Sequence, residues 1–359
     1  MSSAARVVPL DRAIVSDRPN HRGRDRSKAE PVATKPFRLV LGAGGMVGIA
    51  YHAGVLQALA TSLGFKPNDA SLIVGTSAGS VIASYVRTGT SLDDIWTLAI
   101  GTHPSLADLG ATPDERRRKM ALVPSFGGGV ELYRRLLGSY WVTVRSFAPV
   151  PMPRIPAPLQ RAFRAGLFSM RASRVRLETD LGNEWPDKPL AICAVDLGSG
   201  QRTVFSAASE IAASLPEAVL ASCAVPGLYV PIRLGRRVFV DGGVHSSTNL
   251  DVALRHDGQP IICIAPMDYA GEDDQGVVQT PATLARLARR MPRRQLFGEL
   301  ASAAREGTKV VLIRPTHHEV REHGVNLMRA SGGEAIAERA FAVTNSGRVI
   351  DEIASTLGL

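Results

Sequence analysis

Apolar residues in this chain recur as short unbroken runs that end on glycine-rich turns. Phe37-Arg38-Leu39-Val40-Leu41 reads as a buried strand running into Gly42-Ala43-Gly44-Gly45, and Leu72-Ile73-Val74 as a second strand ending at Gly75-Thr76-Ser77-Ala78-Gly79. Between them the apolar spacing changes to a helical period over about 47–63, with Val55, Leu56 and Leu59 on the inner face. A further helix is expected through Ile82 and Val86. Strand, glycine loop, helix, strand, tight turn, helix is a βαβα unit, with parallel strands joined by a right-handed crossover and an α/β fold as the consequence. Both special loops fall at the carboxyl ends of parallel strands, where open α/β sheets bind ligands.

The core pattern resumes at Leu190–Asp196, which pairs through the turn Gly198-Ser199-Gly200 with Thr203-Val204-Phe205 as a hairpin. A helix near 209–221 leads to Pro226-Gly227, and a strand Val238-Phe239-Val240 ends at Asp241-Gly242-Gly243. Ile261–Ile264 and Val310–Ile313 supply two more core strands, and one last helix is expected over 334–353. Residues 1–35 are basic, polar and without a period, which predicts a mobile tail. Residues 101–185 break the pattern with RRRK at 116–119, a triple glycine at 127–129 and a proline-rich patch at 149–158, which predicts a basic cap inserted beside the site. The resulting division is a tail, a catalytic domain over 36–265 carrying that cap, and an extension over 266–359 packed on the same domain.

Composition narrows the classes. Hydrophobic residues make up 45% of 359, enough for a sizeable core, while aromatics are only 5%. The net charge of +9 favours anionic partners. No zinc-finger spacing, RNP-like aromatics or recognition helix accompanies it, so an anionic membrane surface is favoured over nucleic acid, with charge for solubility alone as the alternative. Two basic stretches, 161–176 and 285–294, are candidates for such docking. The first carries Phe163, Leu167, Phe168 and Met170 at amphipathic spacing, and core packing of that apolar side is the alternative. Cys193, Cys223 and Cys263 lie apart in apolar runs, as buried free thiols do, and indicate neither metal nor disulfide. The N-terminus has no apolar run of signal-peptide length, and no stretch of about 18 apolar residues predicts a membrane span. A cytoplasmic protein, peripheral at a membrane, is the expectation.

The candidate chemistry sits on the strand ends. Gly75-Thr76-Ser77-Ala78-Gly79 is a G-x-S-x-G sequence, whose small flanking residues let strand and helix crowd together and lift the serine hydroxyl above the sheet. Gly42–Gly48 can turn several amides toward one point beside a helix start, to hold a phosphate or an oxyanion. A dinucleotide site would favour an acidic residue after the second strand, and the serine turn occupies that place. Asp241 at a strand tip, followed by two glycines, can approach a neighbouring loop. The serine needs a base, which from the residues alone is either a histidine (His52, His245, His317 or His318) or Asp241 itself.

Together the three elements resemble the patatin-like phospholipases, which carry a glycine-rich oxyanion loop, a G-x-S-x-G nucleophile and a D-G-[GA] aspartate in that order. The segment Ala221–Ile232 and the Gly54-Val55-Leu56 helix are similar too, and the resemblance covers about 37–265. It implies a three-layer α/β/α sandwich with a mostly parallel sheet and a helical cap. It further implies Ser77 as nucleophile and Asp241 as base, with an oxyanion hole from the amides of Gly44, Gly45 and Met46. Gly42, Gly48, Gly75, Gly79, Gly242 and Gly243 would support the motifs. An acyl lipid is the implied substrate, with no metal or organic cofactor. The family's usual G-G-G-x-R-G is Ala43-Gly44-Gly45-Met46-Val47-Gly48 here. A soluble esterase or thioesterase with a histidine base, and a lipid-binding protein with a degenerate site, are the competing readings.

Overall fold

The computed structural model describes residues 35–147, 165–255, 257–269 and 290–359. The expected tail up to residue 34, the proline-rich patch and parts of both basic stretches lie outside these.

In chain order the elements are β1 (Arg38–Leu41), α1 (Gly45–Leu63), β2 (Leu72–Thr76), α2 (Ala78–Arg87), α3 (Leu92–Ile100), α4 (Pro113–Ala121), β3 (Val123–Pro124), α5 (Gly129–Phe147), β4 (Phe168–Ser169) and α6 (Arg171–Leu181). They continue with β5 (Leu190–Asp196), β6 (Arg202–Phe205), α7 (Leu215–Ser222), β7 (Ile232–Leu234), β8 (Arg237–Asp241), β9 (Ile261–Ile264), α8 (Arg290–Arg305), β10 (Val310–Ile313), α9 (His317–His323), α10 (Gly333–Ser346) and α11 (Arg348–Leu357).

The unbroken apolar runs have a simple cause: the central sheet is buried on both faces. Leu39, Leu41, Ile73, Ile192, Ile262 and Ile264 point into a core shared with α1, α2, α7 and α10. Val40, Val74, Cys193, Ile261 and Cys263 point the other way, against Leu296, Leu300 and Ala303 of α8. The outcome is the expected α/β/α sandwich, and it explains two buried thiols as small apolar fillers. Each fully buried Leu or Ile contributes about 1.5–3 kcal/mol.

β10, β9, β1, β2 and β5 run parallel in that order. β6 and β8 join β5 antiparallel, and β7 pairs β8. The 101–185 segment forms α3's exit, α4, α5, α6 and the small β3–β4 pair.

Three expectations are corrected. The helix expected over 334–353 is two helices, because Gly347 takes an extended conformation (φ −95°, ψ 160°) that breaks the run. The helix expected from 209 begins at Leu215, where Ser214 and Glu217 close a capping box and supply the missing terminal hydrogen bonds. The described part of 161–176 is not one surface helix: Phe168 pairs in β4, Met170 is buried, and only then does α6 begin. Met170 and Phe168 pack against the core. In addition, α1 is long and apolar enough to cross a membrane (mean hydropathy 1.3), yet 67% of that window is buried inside the protein, as in a core helix.

Candidate functional site

β2 stops at Thr76 and the chain reverses into α2 through Ser77, whose backbone (φ 51°, ψ −120°) is in a region L-residues rarely occupy. The flanking glycines make that turn possible. A Cβ on Gly75 would lie 2.6 Å from the Ser80 Cα, and one on Gly79 only 1.9 Å from the Leu41 carbonyl oxygen. The turn is held by the Ser77 amide donating to Ser222 Oγ (2.9 Å), which donates to the Cys193 carbonyl (2.6 Å). The Ser77 carbonyl accepts from the Ser80 amide (2.8 Å) and hydroxyl (2.7 Å).

Sheet register brings Asp241 to this turn. Cys193 of β5 has Val204 on one side and Thr76 on the other, and the next residue, Ala194, has Thr203 on the first side and Asp241 on the second. A strand has only two edges, so β2 and β8 occupy the same edge of β5 and meet head to head. β2 cannot continue beyond Thr76 because Asp241 holds the next position. Gly242 then passes so close to β5 that a Cβ would lie 2.2 Å from the Cys193 carbonyl oxygen. Asn249, fully buried, spans the junction: its Nδ2 donates to Thr76 Oγ1 (3.0 Å), the Gly242 carbonyl (3.4 Å) and the Ser246 carbonyl (2.7 Å).

The Asp241 carboxylate accepts from the Gly243 amide (2.7 Å). Burial, the larger effect, pushes its pKa up to about 6, and the Ser77 side chain and the Gly243 amide pull it partly back.

The glycine loop is anchored at its entry, where Gly42 donates to the Ile264 carbonyl (2.9 Å) and Ala43 to the Ser247 carbonyl (2.7 Å). Gly45 opens α1 at φ 58°, and a Cβ there would meet the Leu327 carbonyl oxygen at 2.7 Å. Val47 spends its amide on that same carbonyl (3.1 Å), and Gly48 donates to the Gly44 carbonyl (2.7 Å). The amides of Gly44, Gly45 and Met46 have no acceptor among the described residues. Ala43 is not among the positive-φ residues, so its methyl group costs no backbone strain. Val47 is fully buried in the core.

Ser77, Gly45 and Met46 line one apolar cleft of about 940 Å³, open mouth included. Its walls come from α2 (Val81, Ile82, Tyr85), α3 (Leu98, Ala99), α4 (Met120), α6 (Leu177) and Met170 just before α6. No histidine lines it. His52 lies in α1 with Nε2 donating to the Gly42 carbonyl (2.8 Å), and burial lowers its pKa to about 4, so it is neutral and engaged. The His317 ring packs by the Tyr269 ring, and exposed His245 is influenced by Arg202 and Asp251. The pattern of residues missed Asn249 and the bridging role of Ser222. Ser222 lay inside the Ala221–Ile232 segment already singled out, whereas nothing around Asn249 distinguishes it from an ordinary polar turn.

The site is thus a strained serine turn above a parallel sheet, facing an apolar cleft. Residues 39–254 match the family described as patatin-like phospholipase, and the chain belongs to it. Among solved structures it is similar to VipD from Legionella pneumophila, at 15% identity and a TM-score of 0.44, covering 88% of this chain and 67% of that one. It is also similar to the type III effector protein ExoU, at 15% identity and a TM-score of 0.36, covering 89% of this chain and 53% of that one, so it spans about half the length of that chain.

Proposed function

We propose that the protein hydrolyses acyl esters of glycerolipids, as a phospholipase A or lysophospholipase, through a Ser77–Asp241 dyad and an acyl-enzyme. One observation carries this reading: Ser77 stands beside the Asp241 carboxylate and lines an apolar cleft that Gly45 and Met46 also line. The acyl chain lies along Ile82, Tyr85, Leu98 and Leu177, bringing its carbonyl carbon over Ser77 Oγ. Ionised Asp241 takes the hydroxyl proton as Oγ attacks. The Gly44, Gly45 and Met46 amides, at the positive end of α1, receive the oxyanion. Asp241 returns the proton to the leaving alkoxide, and water then releases the fatty acid from Ser77 with Asp241 again as base. A carboxylate raised to about 6 suits this role, since it is ionised at neutral pH yet more basic than a solvated aspartate. The protein's positive charge complements an anionic membrane, from which the substrate would be drawn.

The test is turnover of phospholipid, lysophospholipid and p-nitrophenyl esters by purified protein, with Ser77→Ala and Asp241→Asn in parallel. Loss of turnover in both folded variants is expected. Full activity in either refutes the dyad. An inert Ser77 toward fluorophosphonate in well-folded wild type would favour the non-catalytic reading.

A further inference from the structure

Arg117 of α4 is fully buried, and it sits where three segments of the chain join. Its Nη2 donates to the Met46 carbonyl (2.8 Å) in the first turn of α1, and its Nη1 donates to the Ala330 carbonyl. The room is made by glycines: a Cβ on Gly333 would fall 2.1 Å from Nη1, and one on Gly101 would fall 2.9 Å from the Arg117 Cγ. Asp114 attracts the charge and Arg329 repels it, while burial lowers the pKa to about 10, so the guanidinium remains protonated at neutral pH.

The contact with Met46 matters because of which peptide it holds. The Met46 carbonyl and the Val47 amide belong to one rigid peptide plane. Arg117 holds the oxygen of that plane, and the Leu327 carbonyl holds its N–H at 3.1 Å. Leu327 lies three residues before Ala330, which Arg117 also binds, so one side chain secures both grips on the plane. No charged side chain of α1's own first turn could do this: that turn contains neither an acidic nor a basic residue. The neighbouring N–H groups, on Gly44, Gly45 and Met46, have no acceptor among the described residues, and Gly45 and Met46 line the cleft.

We propose that Arg117 is a positioning residue for the oxyanion donors, clamping the Met46–Val47 peptide and the 327–330 strap so that the preceding amides stay aimed at the substrate carbonyl. Arginine suits the task because its planar fork reaches two carbonyls at once, whereas lysine offers a single point of charge. The inference rests on the acyl-hydrolase reading above.

Arg117→Met and Arg117→Lys in the full chain test it, with p-nitrophenyl butyrate as probe and hydrogen exchange of backbone amides as a readout independent of activity. Exchange is expected to rise in the peptides covering 44–48 and 325–333 and to stay unchanged elsewhere. In Arg117→Met, kcat per folded molecule is expected to fall by about tenfold or more with KM little changed, the signature of a contact that serves the transition state. Arg117→Lys is expected to fall between, and low-millimolar guanidinium to restore part of the activity of Arg117→Ala. Wild-type kcat in folded Arg117→Met overturns the proposal, as does a general rise in exchange with kcat per folded molecule unchanged. Wild-type protein that turns over no acyl ester overturns the hydrolase reading itself, and this is seen before any Arg117 variant is compared.

Discussion

Thr76 and Asp241 occupy consecutive places along one edge of β5, opposite Cys193 and Ala194, with their strands running head to head. This collision forces Ser77 out of the sheet plane and presents it to the carboxylate that displaced it. The backbone strain at Ser77 and the raised pKa of Asp241 therefore share one origin. Both are costs to the fold at the place where the chemistry is proposed, as expected of functional sites.

The first consequence concerns pH and activity. Asp241 must be ionised to accept a proton, and its pKa is raised to about 6. Activity should therefore rise with pH through about 6 and level off above it. A kcat/KM profile on a neutral ester checks this, and a profile still flat well below that range would rule out Asp241 as the base.

Stability should run the opposite way. The folded-state pKa of Asp241 lies above its ordinary value of 3.8, so the native state holds the proton more tightly than the unfolded chain. The contribution of this group is most favourable below about pH 4 and is lost as pH rises through about 6. Asp241→Asn removes the buried charge, so it should stabilise the protein at pH 7–8, by on the order of 2 kcal/mol, while abolishing turnover. The gain should vanish below pH 4, which denaturant melts at both pH values would measure.

Strain at the elbow gives a separate comparison. Ser77→Ala keeps a Cβ at φ 51°, whereas Ser77→Gly removes it. Both should be inactive, but the glycine variant should be more stable than the alanine variant by about 1 kcal/mol. Equal melting temperatures would mean that the turn relaxes at no cost.

Asn249 should matter more than any surface polar residue. It is buried, adopts a left-handed conformation (φ 49°) that asparagine tolerates, and braces both strand ends through its Nδ2. Asn249→Ala is expected to destabilise by about 2–4 kcal/mol, from lost buried hydrogen bonds and backbone strain together. Ester turnover should fall with it, because the carboxylate and the elbow lose their common support.

Cleft shape predicts selectivity. Ala99 is a small wall residue, and Ala99→Phe would fill part of the acyl path. Hydrolysis of long-chain esters should drop by about tenfold relative to a short-chain ester, since pocket contacts of a few methylenes are worth that much. His317→Ala and His318→Ala, by contrast, should leave turnover unchanged, because neither residue lines the cleft.

Much of the architecture was already readable along the chain. The apolar runs at Leu39–Leu41, Ile73–Val74 and Ile261–Ile264 had to be strands buried on both faces, because nothing polar alternates with them. Gly75 and Gly79 had to flank a crowded turn, because only the absence of a Cβ allows α2 to lie against Leu41. Local steric rules and hydrophobic periodicity act over a few residues, so they are written into neighbouring positions. Tertiary structure alone decided that β8 approaches antiparallel and meets β2 along one edge of β5, since strand direction and register depend on which distant surfaces can be buried together. The same holds for Asn249 spanning the junction, and for Arg117 of α4 gripping the first turn of α1. These relationships join residues far apart in the chain, and their energy exists only once the core has brought them together.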